Sequence, residues 1–136
     1  GSVFVLTPAG SELVVYSFST QGNDGRNPSA GLIAVNGTLY GTTRLGGANN
    51  VGTVYSIAKN GREDVVYSFT DSSGKLPQSS LIYFKGALYG TTRYGGANGN
   101  CRANASNVVD FARRRPVCRL FSPCQYASPS ARTESQ

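Results

Sequence analysis

With 136 residues, 39% of them hydrophobic, and 17 glycines, the chain is long enough for one domain with a modest core and too apolar for a disordered composition. It has no histidine, which removes the commonest general base and metal ligand, and no apolar run near the roughly 18 residues of a membrane-spanning helix or charged-then-apolar export leader. The net charge of +6 is concentrated at the end: residues 1–100 balance at +2, while residues 101–136 carry six Arg against Asp110 and Glu134. The block Arg113-Arg114-Arg115 lacks the interleaved stacking aromatics of a nucleic-acid groove, so it reads as a solvated charge run and nucleic acid is not an expected partner.

In chain order, Ser2 to Thr7 reads as a strand closed by the turn Pro8-Ala9-Gly10, and Leu13 to Phe18 returns as its hairpin partner. Gln21 to Pro28 is dense in turn formers and is expected to be the longest loop. Leu32 to Val35 and Thr38 to Thr43 flank Asn36-Gly37, the strongest short hairpin signal. A Gly-rich loop from Gly46 to Asn50 leads into Thr53 to Ile57, and Lys59-Asn60-Gly61 turns the chain into Asp64 to Phe69. After a turn-rich segment at Asp71 to Gly74, Leu81 to Phe84 and Ala87 to Thr92 repeat the hairpin, with Lys85-Gly86 as its turn. Eight short antiparallel strands and an all-β class are expected.

The strands come in copies. Leu39-Tyr40-Gly41-Thr42-Thr43-Arg44 returns as Leu88-Tyr89-Gly90-Thr91-Thr92-Arg93, and Val14-Val15-Tyr16-Ser17-Phe18 as Val65-Val66-Tyr67-Ser68-Phe69, a period near 50 residues typical of repeat architectures. Val14-Val15-Tyr16 and Leu32-Ile33-Ala34-Val35 do not alternate apolar with polar, which predicts sheets covered on both faces. A β-propeller of antiparallel four-stranded blades satisfies that pattern, and Gly41 and Gly90 would mark places where another backbone comes close. The accounting is a half blade in residues 1–20, a full blade in 31–70 and a half blade in 80–100. About two blades' worth falls short of the about four that a ring needs, and with the absence of Met it predicts a fragment. Its terminal half-blades would pair with neighbouring sequence, with each other or with a second copy.

These words resemble the Gloeo-Verruco (GloVer) tandem repeat of bacterial choice-of-anchor proteins. The phrases that carry the resemblance are Gly-Thr-Val-Tyr at 52–55, Val-Val-Tyr-Ser-Phe at 14–18 and 65–69, Gly31-Leu32-Ile33, and Leu-Tyr-Gly-Thr-Thr at 39–43 and 88–92. The resemblance covers residues 1 to about 100 and implies a secreted or cell-surface repeat protein with a propeller fold and no assigned enzymatic activity. The family's sorting signal does not occur in this sequence. Residues 101–136 depart from the pattern: the family continues with Cys-Gly-Thr-Val-Phe, whereas this chain reads Cys101-Arg102-Ala103-Asn104-Ala105. This non-repeat basic tail is expected to be a frame-shifted product, a variable extension or a disordered segment, and the nucleotide sequence across codon 101 separates a frame slip from a genuine extension.

Candidate chemistry is sparse. Cys101, Cys118 and Cys124 lack paired metal-ligand spacing, and no metal or cofactor is expected. Glu12 and Glu63 occupy equivalent repeat positions, as do Asp24 and Asp71 approximately, which fits strand edges and turns better than a catalytic carboxylate pair or a Ca²⁺ loop. Asn36-Gly37-Thr38 and Asn104-Ala105-Ser106 match the N-glycosylation pattern, of little meaning in a bacterial chain. The best ligand-binding candidates are Arg44, Asn49, Arg93 and Asn98, in the paired loops after the Tyr-Gly-Thr-Thr strands, where fork-shaped donors and amides suit a glycan or a carboxylate. The competing role is local: Asn satisfying loop backbone and Arg covering apolar rim with its stem. A non-enzymatic structural, adhesive or ligand-binding module is therefore expected, with a glycan or a surface protein as partner. A carbohydrate-binding or carbohydrate-active propeller, and a truncated product without independent function, are the alternatives.

Overall fold

The computed structural model describes residues 1–96, and the assignments for residues 97–136, including the tail, its three cysteines and Asn98, lie outside them. Eleven strands run in order: β1 (Ser2–Leu6), β2 (Glu12–Ser17), β3 (Gly25–Pro28), β4 (Ile33–Val35), β5 (Thr38–Gly46), β6 (Thr53–Ile57), β7 (Glu63–Ser68), β8 (Lys75–Pro77), β9 (Ile82–Phe84), β10 (Ala87–Tyr89) and β11 (Thr92–Tyr94). There is no helix among the described residues, and so none long and apolar enough to cross a membrane. All pairings are antiparallel.

The central sheet is organised on β5, whose nine residues take β4 along the first half of one edge and β3 along the second, with β6 and then β7 on the other side. The remaining strands form three two-stranded sheets, β1–β2, β9–β10 and β8–β11, and none of the sheets closes on itself. The expected Asn-Gly hairpin is present, with φ of 49° at Asn36 and 79° at Gly37, and its copy has 48° at Lys85 and 83° at Gly86. Positive φ at both central positions is the backbone of a type I′ turn, whose twist matches that of the flanking strands.

Three expectations need correction. The loop assigned to Gln21–Pro28 ends in a strand, β3, and its copy β8 also went unpredicted; both contain Pro and a non-glycine residue at positive φ, 56° at Asn27 and at Leu76. They are strands only because β5 and β11 offer them an edge, and Leu76 is held in its conformation by donating its N–H to Val51 O at 2.8 Å. The copy of β5 is split where the sequence predicts one strand, Ala87–Thr92, because Ser79 Oγ accepts the Thr91 N–H at 3.0 Å in place of a ladder partner. Finally, Gly41 and Gly90 make room for side chains and not for another backbone: an added Cβ would lie 2.6 Å from Tyr55 Oη and 2.8 Å from Leu32 Cδ2 at Gly41, and 2.7 Å from Leu81 Cδ2 at Gly90.

Packing follows the alternation of β6. Val54 and Tyr55 point to opposite faces and are each 1% exposed. On one face Tyr55 and Ile57 join Val3 and Phe18 of the first hairpin, with Tyr16, Val15 and Leu39 around them. On the other, Val54 and Phe69 join Leu81 and Leu88, with Tyr67 and Tyr40 around them. Burial of each such side chain stabilises the fold by about 1.5–3 kcal/mol, so the central sheet is held from both sides. Coverage of both faces, expected for all the strands, is limited to this sheet: Leu13 and Val14 of β2 are 65% and 50% exposed because nothing among the described residues covers their hairpin's outer side.

The two joints share four positions. Val3, Phe18, Tyr16 and Leu39 correspond to Val54, Phe69, Tyr67 and Leu88, and the pairs Tyr16–Phe18 and Tyr67–Phe69 both stand edge to face with ring centres 5.1 Å apart. Phe18 donates its N–H to Gly1 O at 2.9 Å as Phe69 does to Gly52 O at 3.0 Å. Prolines Pro28 and Pro77 sit over those glycines, so close that a Cβ on Gly1 or Gly52 would lie 2.8 or 2.5 Å from the proline Cδ.

Candidate functional site

The loop after β5 is shaped by glycines at its mouth: Gly46 and Gly47 have φ of 83° and 74°, and Gly47 donates to Asp24 O at 2.9 Å. Its amide side chains are turned onto protein. Asn49 Nδ2 donates to Phe69 O at 3.0 Å. Asn50 Oδ1 accepts the Gly46 N–H at 3.1 Å and a short hydrogen bond from Arg26 Nη2. Asn49 is thus engaged in fastening the loop to the end of β7, the local role, while its residue as a whole stays exposed.

Arg44 is half-buried, and its Nε is enclosed with no hydrogen-bond partner among the described residues. No hydrogen bond joins it to Asn49. Its copy Arg93 is exposed and lies over the ring of Tyr94, 5.2 Å from guanidinium carbon to ring centre. The two arginines therefore share a repeat position and differ in surroundings, since Leu45 stands where the second copy has Tyr94.

A polar cluster that the sequence did not single out lies where β2 meets the central sheet. Tyr16 Oη donates to Asp24 Oδ2 at 2.9 Å, and the N–H groups of Ser19 and Gly25 each donate to the same carboxylate at 2.6 Å. Asp24 is a staple for its loop, and in the next repeat Ser73 takes that task, its Oγ accepting the Thr70 N–H at 2.9 Å. The approximate equivalence of Asp24 and Asp71 survives in the main chain, where Asp71 O accepts from Gly96 as Asp24 O does from Gly47.

Glu63 of β7 completes the cluster. Its Oε1 is buried without a hydrogen-bond partner, and its carboxyl is pushed up to about 7 by loss of water and then by the negative charge of Asp24. The Tyr16 hydroxyl pulls the other way. Burial and the same Glu63 charge push the Tyr55 phenol up to about 12, and burial with the Asp24 hydrogen bond raises that of Tyr16. The repeats of Glu12 as Glu63 and, approximately, of Asp24 as Asp71 were the sequence signals here, and they could not reveal that Glu12 is exposed and Glu63 half-buried.

Among the described residues no group of three or more His, Cys, Asp or Glu side chains is placed to hold a metal ion. A cavity of about 10 Å³ lies in the second joint between Thr42, Val54, Phe69 and Leu81, room for no more than about one water molecule. The features with clear geometry, joints, staples and glycine-shaped loops, define an all-β tandem-repeat protein. The chain belongs to the Gloeobacter/Verrucomicrobia repeat family, whose model matches residues 1–103. No curated protein and no solved structure matches it.

Proposed function

We propose that the chain is a non-enzymatic repeat module of a secreted or cell-surface bacterial protein, in which four-stranded units stack as the blades of a β-propeller and present their rim loops for adhesion or ligand binding. The observation that carries this reading is a joint in which four positions recur, because a chain that repeats part of its interface as well as its strands suits extension unit by unit. Extracellular placement rests on the family resemblance. The exposed Arg93–Tyr94 pair favours carbohydrate as the ligand class, since a guanidinium fork and an aromatic face are what a sugar hydroxyl and ring require.

The test is incubation of the purified protein with a panel of bacterial and plant polysaccharides, reading both retention and release of reducing ends. Retention that is lost in Arg44→Ala or Arg93→Ala, without release, supports the module reading. Release of reducing ends overturns it in favour of a carbohydrate-active enzyme.

A further inference from the structure

We propose that copies of this chain associate head to tail, with β1–β2 of one copy completing the sheet begun by β8–β11 of another. The inference rests on the repeat register and does not require that the units close into a ring.

In the central sheet, β5 is paired by β6, with Leu39 opposite Ile57, Tyr40 opposite Ser56, Gly41 opposite Tyr55 and Thr42 opposite Val54. At the copy of β5, β10 pairs with β9 and β11 with β8, and no described strand takes the place of β6. The strand needed there is one that reads like Gly52-Thr53-Val54-Tyr55-Ser56-Ile57, and the chain has one other such word, Gly1-Ser2-Val3-Phe4-Val5-Leu6. That word is β1, which pairs with β2 and has its second edge unpaired among the described strands. Its own copy of β10 is out of reach, because the first hairpin packs on one face of the central sheet and the β9–β10 hairpin on the other. A second copy supplies it in the register of the central sheet, with Leu88 opposite Leu6, Tyr89 opposite Val5, Gly90 opposite Phe4 and Thr91 opposite Val3.

The exposed apolar side chains match this docking. Phe4 and Leu6 are 58% and 61% exposed, although their counterparts Tyr55 and Ile57 are each 1% exposed. Val66 is 43% exposed, although its counterpart Val15 packs against Tyr55 and Ile57. Docking sets Phe4 and Leu6 of one copy against Val66 and Phe69 of the other, in the way Tyr55 stands 4.9 Å from Phe18 edge to face. The same movement covers a second pair of patches: Ile82 and Phe84, 62% and 55% exposed, meet Leu32 of the partner, 41% exposed, as Ile33 and Val35 meet the buried Leu81. Three exposed side chains on one end thus find three on the other, and two edges without a partner among the described strands pair through Leu88–Thr91 and Val3–Leu6. Such an interface is heterologous, and it extends until the rotation closes.

The test uses the full chain with its three cysteines changed to serine, into which Val5→Cys or Tyr89→Cys is introduced singly. Mixed under mild oxidation, the two single-cysteine proteins are expected to form the Val5–Tyr89 heterodimer in excess over either homodimer. Sedimentation of the cysteine-free chain is expected to show concentration-dependent assembly, lost in Phe4→Asp and returning to the 14.3 kDa single chain. Circular dichroism checks that Phe4→Asp, a substitution at an exposed site, keeps its β signal. Predominance of homodimers overturns the proposal in favour of a symmetric contact. A monomer at every concentration without cross-linking overturns it in favour of the chain's own residues beyond 96 covering the edge. Heterodimers that build an open filament support the docking and sink the propeller reading alone.

Discussion

Tyr55 and Ile57 of the central sheet are each 1% exposed, whereas Phe4 and Leu6, at the same positions of the first hairpin, are 58% and 61% exposed. The strands that carry them are built alike: both are five residues long, both are followed by a turn into an antiparallel partner, and both ladders slip by one residue after their valine, Val3 or Val54. What differs is what lies in front of them. The central strand has a neighbouring unit on each face and an edge partner on each side, and the first hairpin has, among the described residues, a neighbour on one face only. In a stacked repeat, burial is thus a property of the position in the stack and not of the strand, and the energy of a side chain depends on how many neighbours the stack provides.

The sharpest way to break this comparison is to truncate both members. Ile57→Ala or Tyr55→Ala is expected to cost about 3–5 kcal/mol in denaturant unfolding, and Leu6→Ala or Phe4→Ala about 0.5 kcal/mol or less in the dissociated chain. Equal costs would mean that the first hairpin is already covered. The glycines offer a second contrast. Gly41→Ala is expected to lose about 1–3 kcal/mol, because the new methyl would strike both the Tyr55 ring, fully buried, and Leu32, whereas Gly90→Ala meets only the end of Leu81 and should lose less; thermal melts of the two variants check the order.

A smaller effect is expected at the buried hydroxyl pair of the central sheet. Thr43 Oγ1 and Thr53 Oγ1 are 2.7 Å apart and both residues are 0% exposed, so Thr43→Val leaves the Thr53 hydroxyl without that partner, at about 1–2 kcal/mol. Thr53 corresponds to Ser2 of the first hairpin, where Ser2→Ala should cost little in the same denaturation experiment, because that residue is exposed. The mildest test is pH. The Glu63 carboxyl stands at about 7 in the folded chain, above its ordinary 4.5, so folding disfavours its ionised form. Its contribution is full below about 4.5 and is lost as pH rises through about 7; denaturant titrations on either side of that window should show the slope, and Glu63→Gln should flatten it.

Much of this fold is legible in the chain. The four hairpins' central words, the Asn36-Gly37 turn and its Lys85-Gly86 copy are placed within a residue or two, because they rest on local signals: β-branched and aromatic runs and turns that demand positive φ. The strands β3 and β8 escaped because their residues, Gly-Arg-Asn-Pro and Lys-Leu-Pro, have no strand propensity and become strands only by pairing with β5 and β11. The candidate site was less legible. Asn49 and Arg44 are legible by their repeat position, yet the hydrogen bond of Asn49 to Phe69 O depends on how the loop folds back over β7, and the enclosure of Arg44 Nε arises only in the folded chain. The cluster of Tyr16, Asp24 and Glu63 was signalled only by the repeats of Glu12 as Glu63 and of Asp24 as Asp71, since its members are 8 and 39 residues apart and meet only across the first joint.

By itself the sequence determined the unit: its period, its β class, its turns and the side chains that alternate through β6, all set by interactions within a few tens of residues. Only the tertiary structure decided which copy of each side chain is core and which is surface. Phe4 and Tyr55 are the same position in the same word, and the difference between them is made by the sheet that stands in front of one and not the other.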